Sequence, residues 1–312
     1  MPWKAGYTIS DTRTLADAEI HWPDGARCCV HVLVDLSPLC PPEGIRPPDL
    51  QTPEAYYGMN GALSALLEAL DRFRLRATFA VPAVIAAIHR DKVRALHAAG
   101  HEVAAHGFRH EDVSVLRPEE EKARLDRTTE IIADVVGERP AGWYSLPRQG
   151  DKFAGGSVSK HTMDLLIEGG YAYMGNGLAD DIPHWWVTDF GTRRAMLTLP
   201  YYYHYDDQFF LSFPEKGTGL DHPDVLFRNW KGEFEAQYKR GRYFGMTLHP
   251  HAIAWPNHLQ TLEDFLTHMT AFPNLWNATG RQCAEHWREN FPAETHLRLE
   301  PSIWQDHPGS LS

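Results

Sequence analysis

The chain of 312 residues is 43% hydrophobic and 23% charged, the balance of a soluble globular protein, and is long enough for a sizeable core. A formal charge of −11 and the lack of Lys/Arg runs argue against nucleic acid or an anionic membrane as partner. No window approaches the roughly 18 consecutive apolar residues of a membrane span, and Met1-Pro-Trp-Lys-Ala has no apolar signal region. Cys28, Cys29, Cys40 and Cys283 form no C-x-x-C pair, so reduced thiols in a cytoplasmic protein are expected.

Residues 1–25, rich in Trp and Pro, read as a surface arm, and residues 293–312 as a tail. Between them, 26–292 alternate strand and helix patterns with no linker and no repeat. Arg27 to Val34 is an apolar run of the kind buried on both faces of a parallel sheet, and it ends at Asp35. A stiff loop with Pro38, Pro41, Pro42, Pro47, Pro48 and Pro53 follows, long enough to form a lid or pocket wall. Asn60 is the expected cap of a helix presenting Leu63, Leu66, Leu67, Leu70 and Phe73 on one face.

Ala77–Val81 reads as the second strand, 91–99 as a helix stopped by Gly100, and Val103-Ala-Ala105 as a strand delivering His106. Pro118 starts a helix whose first-turn glutamates suit its dipole, and Gly137 ends it. Further strands are expected at 142–147, 171–174, 195–199 and 243–248, the last ending at His249. Helices are expected from Ser159, over 223–238, and finally along Leu259, Leu262, Leu266 and Met269. About seven βα units make a single-domain, barrel-like α/β fold.

Three strand ends then carry Asp35, His106 with His110 four residues on, and His249. In a (β/α)-barrel such ends share one face. An imidazole pair able to hold a metal, a carboxylate to take a proton and a separate imidazole to return one suit hydrolysis. Trp143, Tyr144, Trp185, Trp186, Tyr201, Tyr202, Tyr203, His204 and Trp255 supply rings for a flat substrate near that face. Asp180, Asp181, Asp206 and Asp207 either bind substrate or brace loops. The expected substrate-binding set is Trp143, Tyr144, Asp181, Tyr203, His204, Asp206 and Trp255.

Ala77-Thr-Phe-Ala-Val81 and Ala99-Gly-His-Glu-Val-Ala-Ala-His-Gly-Phe-Arg-His110 resemble the core of the polysaccharide deacetylase (NodB-homology, carbohydrate esterase 4-like) superfamily. Gly137-Glu-Arg-Pro-Ala-Gly-Trp-Tyr144, Ala179-Asp-Asp-Ile-Pro183, Tyr205-Asp-Asp207 and Thr247-Leu-His-Pro250 resemble motifs of its intracellular branch. That branch holds bacterial allantoinase, cyclic-imide hydrolases and a Helicobacter-type peptidoglycan deacetylase. The resemblance spans about residues 26 to 292.

It implies a distorted (β/α)-barrel and hydrolysis of a non-peptide C–N bond. It also implies Asp35 as general base, His106 and His110 as ligands of a divalent metal such as zinc, and His249 as catalytic acid. Where the family places a metal-binding carboxylate, this chain has Ser37, so either Asp35 itself or water is the third ligand, or the metal is weakly held or absent. Ala254-Trp255-Pro256 with His258 replaces an Arg-bearing segment, pointing to a less anionic substrate or to different anchoring. Trp143-Tyr144-Ser145 stands where sugar deacetylases place an Arg near the base, so the sequence offers no group to tune Asp35. The expected activity is hydrolysis of a small amide, cyclic imide or ureide. Alternatives are N-deacetylation of peptidoglycan or amino sugars, and an inactive binding protein of the same fold. Homotetramers among relatives suggest a homo-oligomer.

Overall fold

The computed structural model describes residues 9–10, 15–148, 151, 155–189, 192–212 and 223–297. Parts of the expected arm (1–8, 11–14) and tail (298–312) lie outside the described residues. Its strands are β1 (Ile9–Ser10), β2 (Cys28–Asp35), β3 (Ala77–Val81), β4 (Glu102–Ala105), β5 (Gly142–Trp143), β6 (Tyr173–Gly177), β7 (His184–Asp189), β8 (Arg194–Pro200), β9 (Tyr243–Leu248) and β10 (Leu275–Asn277).

They form one sheet in the order β1-β7-β8-β6-β5-β4-β3-β2-β10, with β9 also paired to β2. All pairings from β9 through β2 to β8 are parallel, and β7 and β1 are the reversed strands at one edge. Beyond β8 the chain meets β9 again at one isolated bridge, Asp206 to Thr247. The architecture is a distorted (β/α)-barrel with an incompletely closed sheet.

Side-chain alternation along β2 separates two cores. Cys28, Val30, Val32 and Val34 join Phe79, Val81, Val103 and the helix layer, whereas Cys29 and Leu33 join Tyr144, Tyr173, Leu197 and Tyr243 on the other face. Adjacent Cys28 and Cys29 thus point opposite ways, and all four cysteines are free and buried. Asp35 shares the phase of Cys29 and Leu33, so the alternation that buries the strand also turns its last residue inward.

The helix Pro118–Val136 ends as expected, with Gly137 in the left-handed region at φ 92°. The helix before β3 begins earlier than expected. Thr52 caps Pro53–Tyr57, its hydroxyl accepting the Ala55 N–H at 3.1 Å, so Asn60 is not the cap. Asn60 instead sits in a π-helical turn, Gly58–Ala62, that joins this piece to Leu63–Arg72. Thr52-Pro53 joins a capping oxygen to the preset φ of a first turn, whereas the Asn60 side-chain oxygen accepts from Lys92 at 2.9 Å.

Residues 184–189, expected within a loop, form β7, antiparallel to β8, and bury Trp185 and Trp186. β10 and the helix Gly280–Asn290 extend the chain beyond the last expected helix, which spans Pro256–Thr270. The described part of the arm is more than a surface strap: Leu15, Ile20 and Trp22 are buried, and the Trp22 indole donates to the Gly241 carbonyl at 2.9 Å. No helix among the described residues is long and apolar enough to cross a membrane.

Candidate active site

Parallel pairing places the ends of β2, β4, β5, β8 and β9 on one face. Val34 pairs with Leu248, so Asp35 and His249 leave their strands side by side, and His106 follows Ala105, the partner of Val81. The three side chains are almost completely buried. Asp35 Oδ2 lies 3.3 Å from His106 Nε2 and 3.4 Å from His249 Nε2. Asp35 Oδ1 accepts the Ser37 N–H at 2.7 Å, which leaves Oδ2 as the free oxygen.

Each imidazole is oriented by its other nitrogen. His106 Nδ1 donates to the Tyr144 carbonyl at 3.0 Å, which aims Nε2 at Asp35. His249 Nδ1 donates to Asp207 Oδ1 at 2.7 Å, and its backbone N–H reaches Asp207 Oδ2 at 2.9 Å. Asp206 stands behind this pair, 3.6 Å from His249 Nδ1. Its oxygens accept from the Tyr201 hydroxyl at 2.6 Å and from Gln208 at 3.0 Å.

These contacts set protonation. Burial pushes the Asp35 carboxyl up, but the His106 and His249 imidazoles outweigh it and hold it well below the ordinary carboxylate range. Burial pushes His249 down, and the Asp206 and Asp207 carboxylates outweigh that to raise it well above the usual imidazole value. An ionised carboxylate therefore faces a protonated imidazole at neutral pH.

His110 occupies a loop after β4 and has a left-handed backbone, φ 55°. For a non-glycine residue that conformation costs about 1–2 kcal/mol. It is held from both ends, by Nε2 donating to the Leu146 carbonyl at 2.9 Å and by the Arg148 guanidinium on the His110 carbonyl at 3.0 Å. The rings of His106 and His110 lie 3.9 Å apart, centroid to centroid. The other His110 nitrogen, Nδ1, faces Cys40 Sγ at 3.8 Å.

Asp35, His106 and His110 each offer a ligand atom within 4.8 Å of the others. Buried Asp35 Oδ2 and His106 Nε2 have no hydrogen-bond partner. Their 3.3 Å separation suits two ligands of one ion, since bonds of about 2.1 Å at a tetrahedral centre put ligands about 3.4 Å apart. The donor set thus fits a divalent ion, with His110 contributing Nδ1 because its Nε2 proton is committed to Leu146.

The expected substrate residues are scattered. Trp143 points to the helix side of the sheet, edge-on to Tyr171 at 5.6 Å. Tyr144 fills the barrel interior against Tyr173, and only its carbonyl serves the site. Sheet alternation decides both positions, so neither ring faces a substrate. Asp181 pairs with Arg240 and Arg242. Arg242 immediately precedes β9 while His249 immediately follows it, so Asp181 braces the far end, about 20 Å away.

Asp206 supports His249 and is fully enclosed. Tyr203 and His204 stack on each other at 4.0 Å in an exposed turn and line neither cavity beside Asp35. Trp255 is half-exposed, stacks on Tyr57 at 4.6 Å, and donates its indole N–H to the His251 carbonyl. Residues without a specific sequence signal do line the space around Asp35: Cys40, Arg148, Gln208 and His251. Arg148 supplies a guanidinium beside the site, a few residues after the segment where one was sought. It is shared among Asp151, Ser157 and the His110 carbonyl.

A family model described as polysaccharide deacetylase matches residues 54–173, a span that holds His106 and His110 but neither Asp35 nor His249. The curated peptidoglycan deacetylase of Helicobacter pylori is 23% identical over 253 residues, covering 73% of this chain and 84% of the relative. The crystal structure of Puue allantoinase superposes with a TM-score of 0.75 at 23% identity, over 90% of this chain and 95% of that one. A Mycobacterium smegmatis structure named for the polysaccharide deacetylases gives a TM-score of 0.76 at 26% identity, over 93% and 99%. Sequence match, curated relative and barrel agree: the chain resembles the polysaccharide deacetylases in sequence over residues 54–173 and in fold over most of its length.

Proposed function

We propose that the chain is a hydrolase of a non-peptide C–N bond in a small amide, cyclic imide or ureide. The observation that carries this reading is Asp35 Oδ2, a buried and unpartnered oxygen set between the Nε2 atoms of His106 and His249. Asp35 is held ionised and His249 protonated, the states a general base and a general acid need before the first step.

In the proposed reaction Asp35 takes a proton from water as the water oxygen bonds to the substrate carbonyl carbon. The tetrahedral adduct collapses with cleavage of the C–N bond. His249 Nε2 gives its proton to the departing nitrogen, and Asp207 and Asp206 stabilise the imidazolium until then. The products are a carboxylic acid and an amine, or a ring-opened amide when the substrate is cyclic.

Deacetylases of the matched family use a divalent metal, and His106 and His110, with Asp35 or water as third ligand, would hold it here. Such an ion polarises the carbonyl and acidifies a bound water. Because Ser37 N–H occupies Oδ1, the free oxygen of Asp35 serves either as ligand or as base.

A second reading, N-deacetylation of peptidoglycan or amino sugars, draws support from the Helicobacter pylori relative. It uses the same residues on an extended polymer. A turnover panel of imides, hydantoins, ureides and N-acetylated chitooligosaccharides separates the two. Small-ring turnover that disappears in Asp35→Asn and His249→Ala is expected. Turnover restricted to the oligosaccharides replaces the first reading with the second, and none on any compound sinks both.

A further inference from the structure

Three buried polar atoms without a hydrogen-bond partner line one cavity: Asp35 Oδ2, Ser37 Oγ and His251 Nε2. The chemistry above uses only the first. Leaving a buried polar atom unpaired is costly, and two such atoms facing one cavity beside Asp35 are placed to meet a bound molecule. Ser37 and His251 are both more than nine-tenths buried, at 5% and 8% exposure.

The rest of the wall is mainly apolar, with Leu36, Pro38, Met59 and Ile85 among its residues; it holds no Lys or Arg, and its one further imidazole, His89, is pushed down by burial. Exposed Glu54 also lines it and adds a negative charge. The empty space there, its open mouth included, is about 360 Å³. Position as well as polarity is fixed at His251. The π-helical turn brings Gly58 so close that a Cβ there would stand 3.1 Å from His251 Cβ, and Trp255 holds the His251 carbonyl at 3.0 Å. Burial pushes the His251 imidazole down to about 3, so the ring is neutral at pH 7 and offers one N–H and one lone pair.

We propose that Ser37 and His251 are the specificity-determining pair of this site. They hydrogen-bond the non-reacting polar group of a compact, uncharged substrate whose apolar flank lies on Leu36, Met59 and Ile85. Analogues bearing a carboxylate on that flank are disfavoured, because no Lys or Arg lines the flank wall and Glu54 repels them. In this light Ser37, which stands where the family places a metal-binding carboxylate, belongs to substrate recognition. The inference rests on the hydrolase reading above for the identity of the reacting group.

The test compares 5-ethylhydantoin with hydantoin-5-acetate, which differ mainly by a charge, on the full-length chain. Binding is measured by calorimetry and turnover by ring opening. The wild type is expected to bind the ethyl compound at least about tenfold more tightly. His251→Leu should weaken that binding about tenfold and Ser37→Ala about threefold, with kcat moving less than KM. His251→Gln, which retains an N–H, should recover part of the loss and guards against misfolding of the leucine variant.

Unchanged affinity in both His251→Leu and Ser37→Ala overturns the proposal. So does equal or tighter binding of the acetate, and so does failure of the wild type to bind either compound. Selective binding without turnover sinks the hydrolase reading alone and leaves the recognition pair standing.

Discussion

Asp207 spends both of its carboxylate oxygens on His249, one on the ring Nδ1–H at 2.7 Å and one on the backbone N–H at 2.9 Å. The pair fixes which nitrogen of His249 faces Asp35 and stabilises the charged ring. Asp207→Asn removes the negative charge and one acceptor while keeping the shape. The expected result is a fall in kcat of about 100-fold or more. Because the carboxylate is one of the groups that raise His249, its loss lowers the imidazole pKa, and the alkaline limb of the pH–kcat profile should move to lower pH. A profile that keeps its limb in the variant removes His249 as the acid.

One divalent ion per chain is expected from elemental analysis of protein purified without added chelator. His106→Ala, which deletes an unpartnered nitrogen aimed at Asp35, should abolish that content. Stripping the ion should reduce turnover at least about tenfold. If the stripped protein keeps full activity, Asp35 Oδ2 acts as a base and His106 merely orients it.

Asp181→Ala separates bracing from catalysis. The change strips a carboxylate from nearly buried Arg242 and from Arg240, leaving them Asp17 and, at 3.8 Å from Arg242, Asp180. A loss of about 2 kcal/mol in unfolding free energy is expected from denaturant curves. Substrate turnover should stay within about twofold of wild type, since the residue stands at the end of β9 opposite His249.

Acid should destabilise the fold through histidines remote from the metal ligands. Burial pushes His31 down to about 3 and His184 down to about 4, against an ordinary value near 6.5. Below pH about 6.5 the unfolded chain binds protons these buried rings refuse. Their contribution to stability is therefore complete above that pH and is lost as pH falls toward 4. The unfolding free energy from urea curves should drop between pH 7.5 and 5, by about 2–4 kcal/mol in these two groups together. The double variant His31→Gln, His184→Gln should flatten that slope.

The framework of the site was legible because it follows from local rules. An apolar run ending at Asp35, a short strand before His106 and another before His249 imply parallel strand ends on one face, and all three residues meet there. Rings were harder. Trp143 ends a two-residue strand and Tyr144 follows it in the same extended run, so one faces the helices and the other the barrel interior, and a hydropathy pattern does not say which face meets substrate.

Asp181 and Asp207 both belong to Asp-Asp pairs, yet one braces Arg242 and the other orients His249. The difference is made by where their loops land, which is a long-range fact. His251 carried no signal because its significance lies in an absent partner, visible only after neighbours across three segments are placed. The reversed strand β7 was hidden by Pro183 and by aromatic residues equally suited to a loop.

The single bridge between Asp206 and Thr247 has a mechanical consequence. Asp35 and His106 are mounted on strands bonded to neighbours along their length, whereas the carboxylates that charge His249 reach it across the barrel's seam. A small parting of that seam would silence proton delivery while leaving the ligand half of the site intact. Substrate capture and proton delivery in this fold thus answer to different parts of its skeleton, and hydrogen exchange at residues 206–207 should be faster than at 33–35 or 103–105.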